Sequence, residues 1–155
     1  KKVKNHLKVD AVDFLSSLKE LVRATQAFEH YSSAHVRSMG LTVTQFDVLA
    51  TLGNQPPMTC KELGEKTLVT KGTLTGVLDR LEAKQLITRV INTEDARSQK
   101  IGLTNKGQKL FEKVFPEHVK YLGEIFHQLS PKDLAQMNHS LKVLRETFEK
   151  HSAAS

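Results

Sequence analysis

The residues best suited to chemistry lie between Thr70 and Leu103, in the stretch TKGTLTGVLDRLEAKQLITRVINTEDARSQKIGL. Thr70 and Lys71 stand where a helix begins. A hydroxyl, an ammonium and the unpaired N–H groups of a first helical turn can together hold a phosphate. Gly72, Thr73, Thr75 and Gly76 continue this segment with small and polar groups, with Asp79 on the same face and Arg80 on its flank. Further on, Asp95, Arg97 and Ser98 occupy a charged segment between two β-prone runs. An arginine on a protruding loop suits a narrow, electronegative minor groove. Asp95, two residues earlier, either holds the guanidinium in place or offsets its charge. This chemistry is recognition of a polyanion, not bond making. Taken alone, the charged loop also reads as a solvated turn.

Enzymatic chemistry has little to stand on. There is no nucleophile elbow, P-loop, dinucleotide fingerprint or metal motif. One cysteine, Cys60, cannot form an internal disulfide and fits a reducing cytoplasm. The histidines His6, His30, His35, His118, His127, His139 and His151 show no i, i+4 pair and no Cys partner. We expect no cofactor and no metal. No apolar run approaches the roughly 18–20 residues of a membrane span, and no apolar h-region follows the basic start KKVKNHLK.

The chain has 155 residues and a net charge of +6. That charge is evenly spread: residues 59–103 hold 8 Lys/Arg against 6 Asp/Glu, as do residues 104–155. Bulk basicity is therefore no argument for nucleic acid; the placement of Lys71 and Arg97 is.

The elements that must position these groups are mostly helical. Residues 1–9 read as a frayed basic arm, or as one that touches phosphate or a partner. From Asp10 to about Met39, Val12, Leu15, Leu18, Val22 and Phe28 recur at helical spacing, and Gly40 stops the helix. A second helix is expected from Thr44, with Asp47 at its N3 position and Phe46, Leu49 and Leu52 inward. GNQPPM is a connector. Thr59-Cys60-Lys61-Glu62 is a capping box for a short third helix. The fourth helix, 70–86, has Leu74, Val77, Leu78 and Leu81 on one stripe, with Thr70 as its cap. Gly72 and Gly76 weaken it by roughly 1 kcal/mol each relative to Ala. They are either tolerated surface glycines or places where another surface comes close. Residues 87–103 form a hairpin, and with the preceding helices this is a winged helix-turn-helix over 41–103. A fifth helix starts at Thr104 with Leu110, Val114, Leu122, Ile125 and Leu129 inward and a kink or broken turn at Pro116. Ser130-Pro131-Lys132-Asp133 starts a sixth, whose Leu134, Met137, Leu141, Leu144 and Phe148 keep a 3-4-3-4 seam. Helices 10–40 and 104–150 read as dimerisation helices, or else as a closed monomeric bundle; residues 151–155 read as frayed. The expected fold class is mostly α with a small β-hairpin wing.

The order of these elements resembles the MarR family of bacterial transcriptional regulators over about residues 10–150. The most specific segments are LTVTQFDVLATL, TKGTLTGVLDRLEAKQLITR and EDARSQKIGLTNKG. The family pattern Asp-x-Arg-Ser, then Leu-Thr-x-x-Gly, stands here as Asp95-Ala96-Arg97-Ser98 and Leu103-Thr104-Asn105-Lys106-Gly107. The resemblance implies a homodimer that binds pseudo-palindromic double-stranded operator DNA, most often as a repressor in the cytoplasm. It puts Thr70, Lys71, Thr73 and Thr75 on a recognition helix in the major groove and Arg97 on the wing. The chain departs from the pattern at Gly76, where many members have Arg; base reading then rests more on threonines, backbone approach or DNA shape. The resemblance also implies a small aromatic or phenolic effector, with Tyr31, His35, Phe46 and Leu49 as candidate contacts; ordinary core is the competing role for these four. Redox sensing through Cys60, zinc sensing, and a winged helix without a DNA role are the remaining readings.

Overall fold

A computed structural model describes the backbone of residues 2–152 and the side chains of residues 13–152. Its elements run α1 (Lys2–Ser38), α2 (Val43–Leu52), β1 (Met58–Thr59), α3 (Cys60–Lys66), α4 (Lys71–Ala83), β2 (Ile87–Ile91), β3 (Gln99–Leu103), α5 (Asn105–Phe126) and α6 (Pro131–Ser152). The fold class is the expected one: mostly helical, with a small antiparallel sheet. The chain divides into two compact units, Lys1–Phe115 and Pro116–Ser155.

In the first unit, the apolar stripes of α2, α3 and α4 meet. Val48, Leu49, Leu52, Leu63, Leu74, Val77, Leu78 and Leu81 are buried together with Ile87 and Ile101 from the sheet. The four residues of the α4 stripe are all buried, because their i, i+3, i+4, i+7 spacing puts them on one face. The sheet order is β1-β3-β2, with Met58 opposite Ile101 and Ile87 opposite Leu103. The strand β1 lies inside what reads in sequence as a plain connector and the start of α3. Two residues become a strand only because β3 offers them a pairing edge.

Several helix starts differ from expectation. α1 is helical from Lys2, so the segment expected as a frayed arm continues the helix, and Asp10 and Asp13 lie within it. Gly40 ends α1 with φ +81°, a left-handed conformation that glycine adopts without steric cost. α2 starts two residues early: Thr42, not Thr44, is its cap. The Thr42 hydroxyl accepts from Gln45 N at 3.2 Å, and Gln45 Oε1 accepts from Thr42 N at 3.1 Å. Asp47 is thereby released for a longer-range task, since its carboxylate accepts the Leu68 N–H at 2.7 Å. For α3, Thr59 accepts from Glu62 N at 3.2 Å as expected.

Leu103 to Gly107 lock the wing to α5. The Thr104 hydroxyl donates to Gln85 O at 2.7 Å and accepts from Gly107 N at 3.0 Å, while Thr104 N donates to Leu86 O at 3.1 Å. A Cβ at position 107 would lie 2.0 Å from that same Leu86 carbonyl oxygen. Backbone cannot move aside as a side chain can. Gly107→Ala is therefore expected to destabilise the protein by about 2–3 kcal/mol, read as a lower urea midpoint; an unchanged midpoint would refute this packing.

α5 passes Pro116 without a break in the helix, so the broken turn expected there is absent. It ends at Phe126 rather than Leu129. Of its expected inner side, Val114 is buried, Leu110 and Leu122 are half-buried, and Ile125 and Leu129 are exposed. Phe111, which no sequence pattern marks, is buried and stacks on Phe115 with ring centroids 5.1 Å apart.

In the second unit, the Ser130 hydroxyl accepts from Asp133 N at 3.1 Å and starts α6 as expected. His118 is buried and stacks on Tyr121 at 6.1 Å. None of the 22 residues of α6 is buried. Its seam residues Met137, Leu141, Leu144 and Phe148 are exposed, as are Phe14, Leu15, Leu18, Val22 and Phe28 of α1. No helix among the described residues is long and apolar enough to cross a membrane.

Candidate nucleic-acid interface

The side of α4 opposite its buried stripe is open. Lys71, Gly72, Thr73, Thr75, Gly76, Asp79 and Arg80 are all exposed. A Cβ at Gly72 or Gly76 would meet nothing within 4 Å. No contact within the chain therefore requires glycine at either position. Thr70 occupies the N-cap position, but its side chain caps no backbone N–H. Its hydroxyl instead donates to Thr73 Oγ1 at 3.0 Å. The expected Thr70 cap is therefore not made; Thr73 N donates to Thr70 O at 3.0 Å, and the Lys71 and Gly72 N–H groups keep their capacity for an outside acceptor.

The helix is tied to the wing by Arg89, a residue that spacing and motif do not single out. Alternation along β2 puts Arg89 on the same face as buried Ile87, and its side chain is only 18% exposed. Its Nη2 donates to Asp79 Oδ1. Its Nε lies 3.3 Å from Glu82 Oε2, near enough for charge attraction though not aligned as a hydrogen bond. Asp79 and Glu82 are both on α4, so one cation from the wing neutralises two carboxylates on the helix. Arg89→Met keeps the apolar stem but leaves both carboxylates uncompensated. We expect a stability loss of about 1–2 kcal/mol and weaker DNA binding, partly restored in Arg89→Met/Asp79→Asn. An Arg89→Met protein with wild-type affinity and melting would exclude this coupling.

The wing loop is shaped by Asp95, Ser98 and Asn92. Asp95 Oδ1 accepts from Arg97 N at 3.0 Å and from Arg97 Nε at 3.5 Å. The Asp95 carbonyl accepts from Ser98 N at 3.0 Å and from Ser98 Oγ at 3.2 Å. Asn92, buried, donates through Nδ2 to Ser98 Oγ at 3.1 Å and accepts from Glu94 N at 3.1 Å. The loop is thus held by its own short polar side chains, and the Arg97 side chain is left 95% exposed. Asp95 holds the arginine and also partly offsets its charge. Sequence reasoning missed Asn92, although an Asn at the end of a strand before a charged turn is a recognisable signal.

The four candidate effector contacts do not share one environment. Leu49 is 0% exposed and belongs to the core. Tyr31, His35 and Phe46 are half-buried, and Phe46 stacks against Phe115 at 6.4 Å. Among the described residues, no group of three or more His, Cys, Asp or Glu is placed to hold a metal ion. Cys60 is exposed.

The family model for MarR matches residues 41–99, the winged helix-turn-helix up to the start of β3. Over 122 residues the chain is 30% identical to the HTH-type transcriptional regulator MhqR of Bacillus subtilis (strain 168), covering 79% of this chain and 84% of that one. Its fold is similar to that of MepR in the S. aureus MepR–DNA complex, with TM-score 0.72 and 25% identity over 85% of this chain and 96% of that one. It is also similar to Bordetella bronchiseptica BpsR, whose DNA binding is regulated by 6-hydroxynicotinic acid, with TM-score 0.75 and 25% identity over 82% and 91% of the two chains. With a matching family model, a relative 30% identical over most of both chains and relatives that are regulators rather than enzymes, the chain belongs to the MarR family of DNA-binding transcriptional regulators.

Proposed function

We propose that the protein is a homodimeric repressor in the cytoplasm that binds pseudo-palindromic operator DNA and is released by a small aromatic or phenolic ligand. The observation that carries the reading is the pairing of α4 with the wing. A helix face of Lys71, Thr73, Thr75 and two open glycines is held by Arg89 to a hairpin whose Arg97 stands in solvent. Lys71 and the N–H groups of Lys71 and Gly72 hold phosphate; Thr73 and Thr75 reach base edges; Arg97 enters the flanking minor groove.

The exposed seam of α6 supports a dimer. A 22-residue helix with no buried residue and a seam of Met137, Leu141, Leu144 and Phe148 is stable when a second chain covers it. Two-fold symmetry then sets half-sites about one helical turn apart. The ligand reading is supported by the regulation of BpsR by an aromatic acid and centres on the half-buried Tyr31, His35 and Phe46; the buried Leu49 belongs to the core. The ligand acts by favouring a dimer whose two α4 helices no longer match the groove spacing.

The test is a gel shift with duplexes from the promoter of its own gene and its neighbours, at moderate salt, with and without a panel of aromatic acids. Sequence-selective retardation that a panel member relieves is the expected result. No retardation on any promoter duplex would overturn the DNA reading. Retardation that no aromatic acid relieves, with no thermal shift, would overturn the ligand reading alone.

A further inference from the structure

Two open grooves on the first unit share a pair of residues. The larger, about 790 Å³, lies between the β1–α3 junction and the wing loop and is bordered by Thr59, Lys61, Asn92, Asp95, Arg97 and Gln99 among others. The smaller, about 230 Å³, lies between α3 and α4 and is bordered by Lys61, Gly64, Lys71, Leu74 and Thr75. Cys60 and Lys61 line both. The grooves therefore adjoin at Cys60 and Lys61 and together trace a track from the wing to α4, with a cation at each station: Arg97, Lys61, Lys71. Lys61 and Lys71 are exposed and form no ion pair among the described residues. Asp95 is the one carboxylate that borders either groove, and it is already engaged by Arg97.

We propose that this track carries the phosphodiester backbone of one DNA strand and that Lys61 is its middle phosphate contact. The inference rests on the DNA-bound reading above. With α4 in a major groove and Arg97 in the adjoining minor groove, a single sugar–phosphate strand separates the two. That strand has to cross the surface between α4 and the wing, and the track is that surface. Its openness suits a continuous polymer; a small molecule is held in a cleft that buries most of its surface. Its polar floor and isolated cations suit phosphate oxygens, which position the protein without reading sequence.

The test uses the full chain, an operator duplex enriched from random DNA by the protein itself, and a scrambled duplex of equal length. Affinities are measured across salt concentrations for wild type and Lys61→Gln, whose fold is checked by its melting curve. The expected result is a loss of about fivefold on both duplexes and a salt slope shallower by about one per protomer. Cys60, the single cysteine, reports independently: saturating DNA is expected to slow its alkylation by a maleimide. An unchanged salt slope overturns the proposal whatever happens to Cys60. So does a loss confined to the operator, which would make Lys61 a base reader. If wild type binds neither duplex, the DNA reading itself fails, and this inference fails with it.

Discussion

Arg97→Ala is expected to lower affinity for operator DNA by about 10- to 100-fold at moderate salt, with the melting temperature almost unchanged. The stability half of this follows from exposure. At 95% exposed, the side chain packs against nothing, and its contact with Asp95 is a 3.5 Å surface pair, worth about 0–1 kcal/mol. The affinity half follows from charge and shape. Each wing loses one cation that a narrow minor groove concentrates, roughly 1 kcal/mol per contact, and a dimer loses two, which is about 30-fold. Arg97→Lys keeps the charge as a point rather than a planar fork, so a partial loss is expected. Asp95→Asn is a separate case, because it loosens the loop through its bond to Arg97 N. Anisotropy titrations at several salt concentrations measure all three. Wild-type affinity for Arg97→Ala would remove the wing from the interface.

Removing α6 by truncation after Ser130 is expected to have the larger effect, with the dimer and tight DNA binding lost together. Sequence-specific binding by a dimer depends on two half-site contacts made by one molecule. When the second becomes an independent bimolecular event, the gain from effective concentration, of order 10²-fold or more, disappears. Leu141→Asp is a milder form of the experiment. It sets a carboxylate in the middle of the seam without shortening the chain, and because Leu141 is 46% exposed within one chain, the monomer's own packing is only modestly disturbed. Sedimentation should show a monomer in both cases, while the isolated chain keeps its helical signal in Leu141→Asp. An intact dimer after truncation would place the interface elsewhere.

The two expected effects differ in how much of their basis is legible in residue order. The exposure of Arg97 follows from a charged segment between two β-prone runs, a local pattern. The seam of α6 is equally local, but whether a seam is covered depends on everything else in the fold. Its exposure in one chain is information that only the tertiary structure carries.

The same division runs through the whole protein. Local patterns settle the stripe of α4, the wing strands and the start of α6. Each arises from interactions within about four residues, or from an alternation that any sheet would impose. The proposed DNA face of residues 70–103 is legible for the same reason: the side chains that face out are those the apolar period leaves over.

What tertiary structure decided was every choice between locally equal options. Thr42 and Thr44 each precede a polar residue at the third position and could each cap a helix. Thr42 is the cap, while Asp47 accepts from Leu68 N, 21 positions away, and Gln45 is also met by Lys84 Nζ at 3.4 Å. The strand β1 exists because β3 pairs with it, and Leu49 is core rather than pocket because the neighbouring elements close over it. Arg89 is one more basic residue until the fold sets it between Asp79 and Glu82. The physical reason is common to all four. A hydrogen-bonding or charged group is assigned by whichever partner arrives in space, and burial by whichever surface covers it, and residue order alone does not say which of several candidates that will be. From residue order alone came the kind of surface proposed to meet DNA; the packing decided which side chains brace that surface and which are left in solvent.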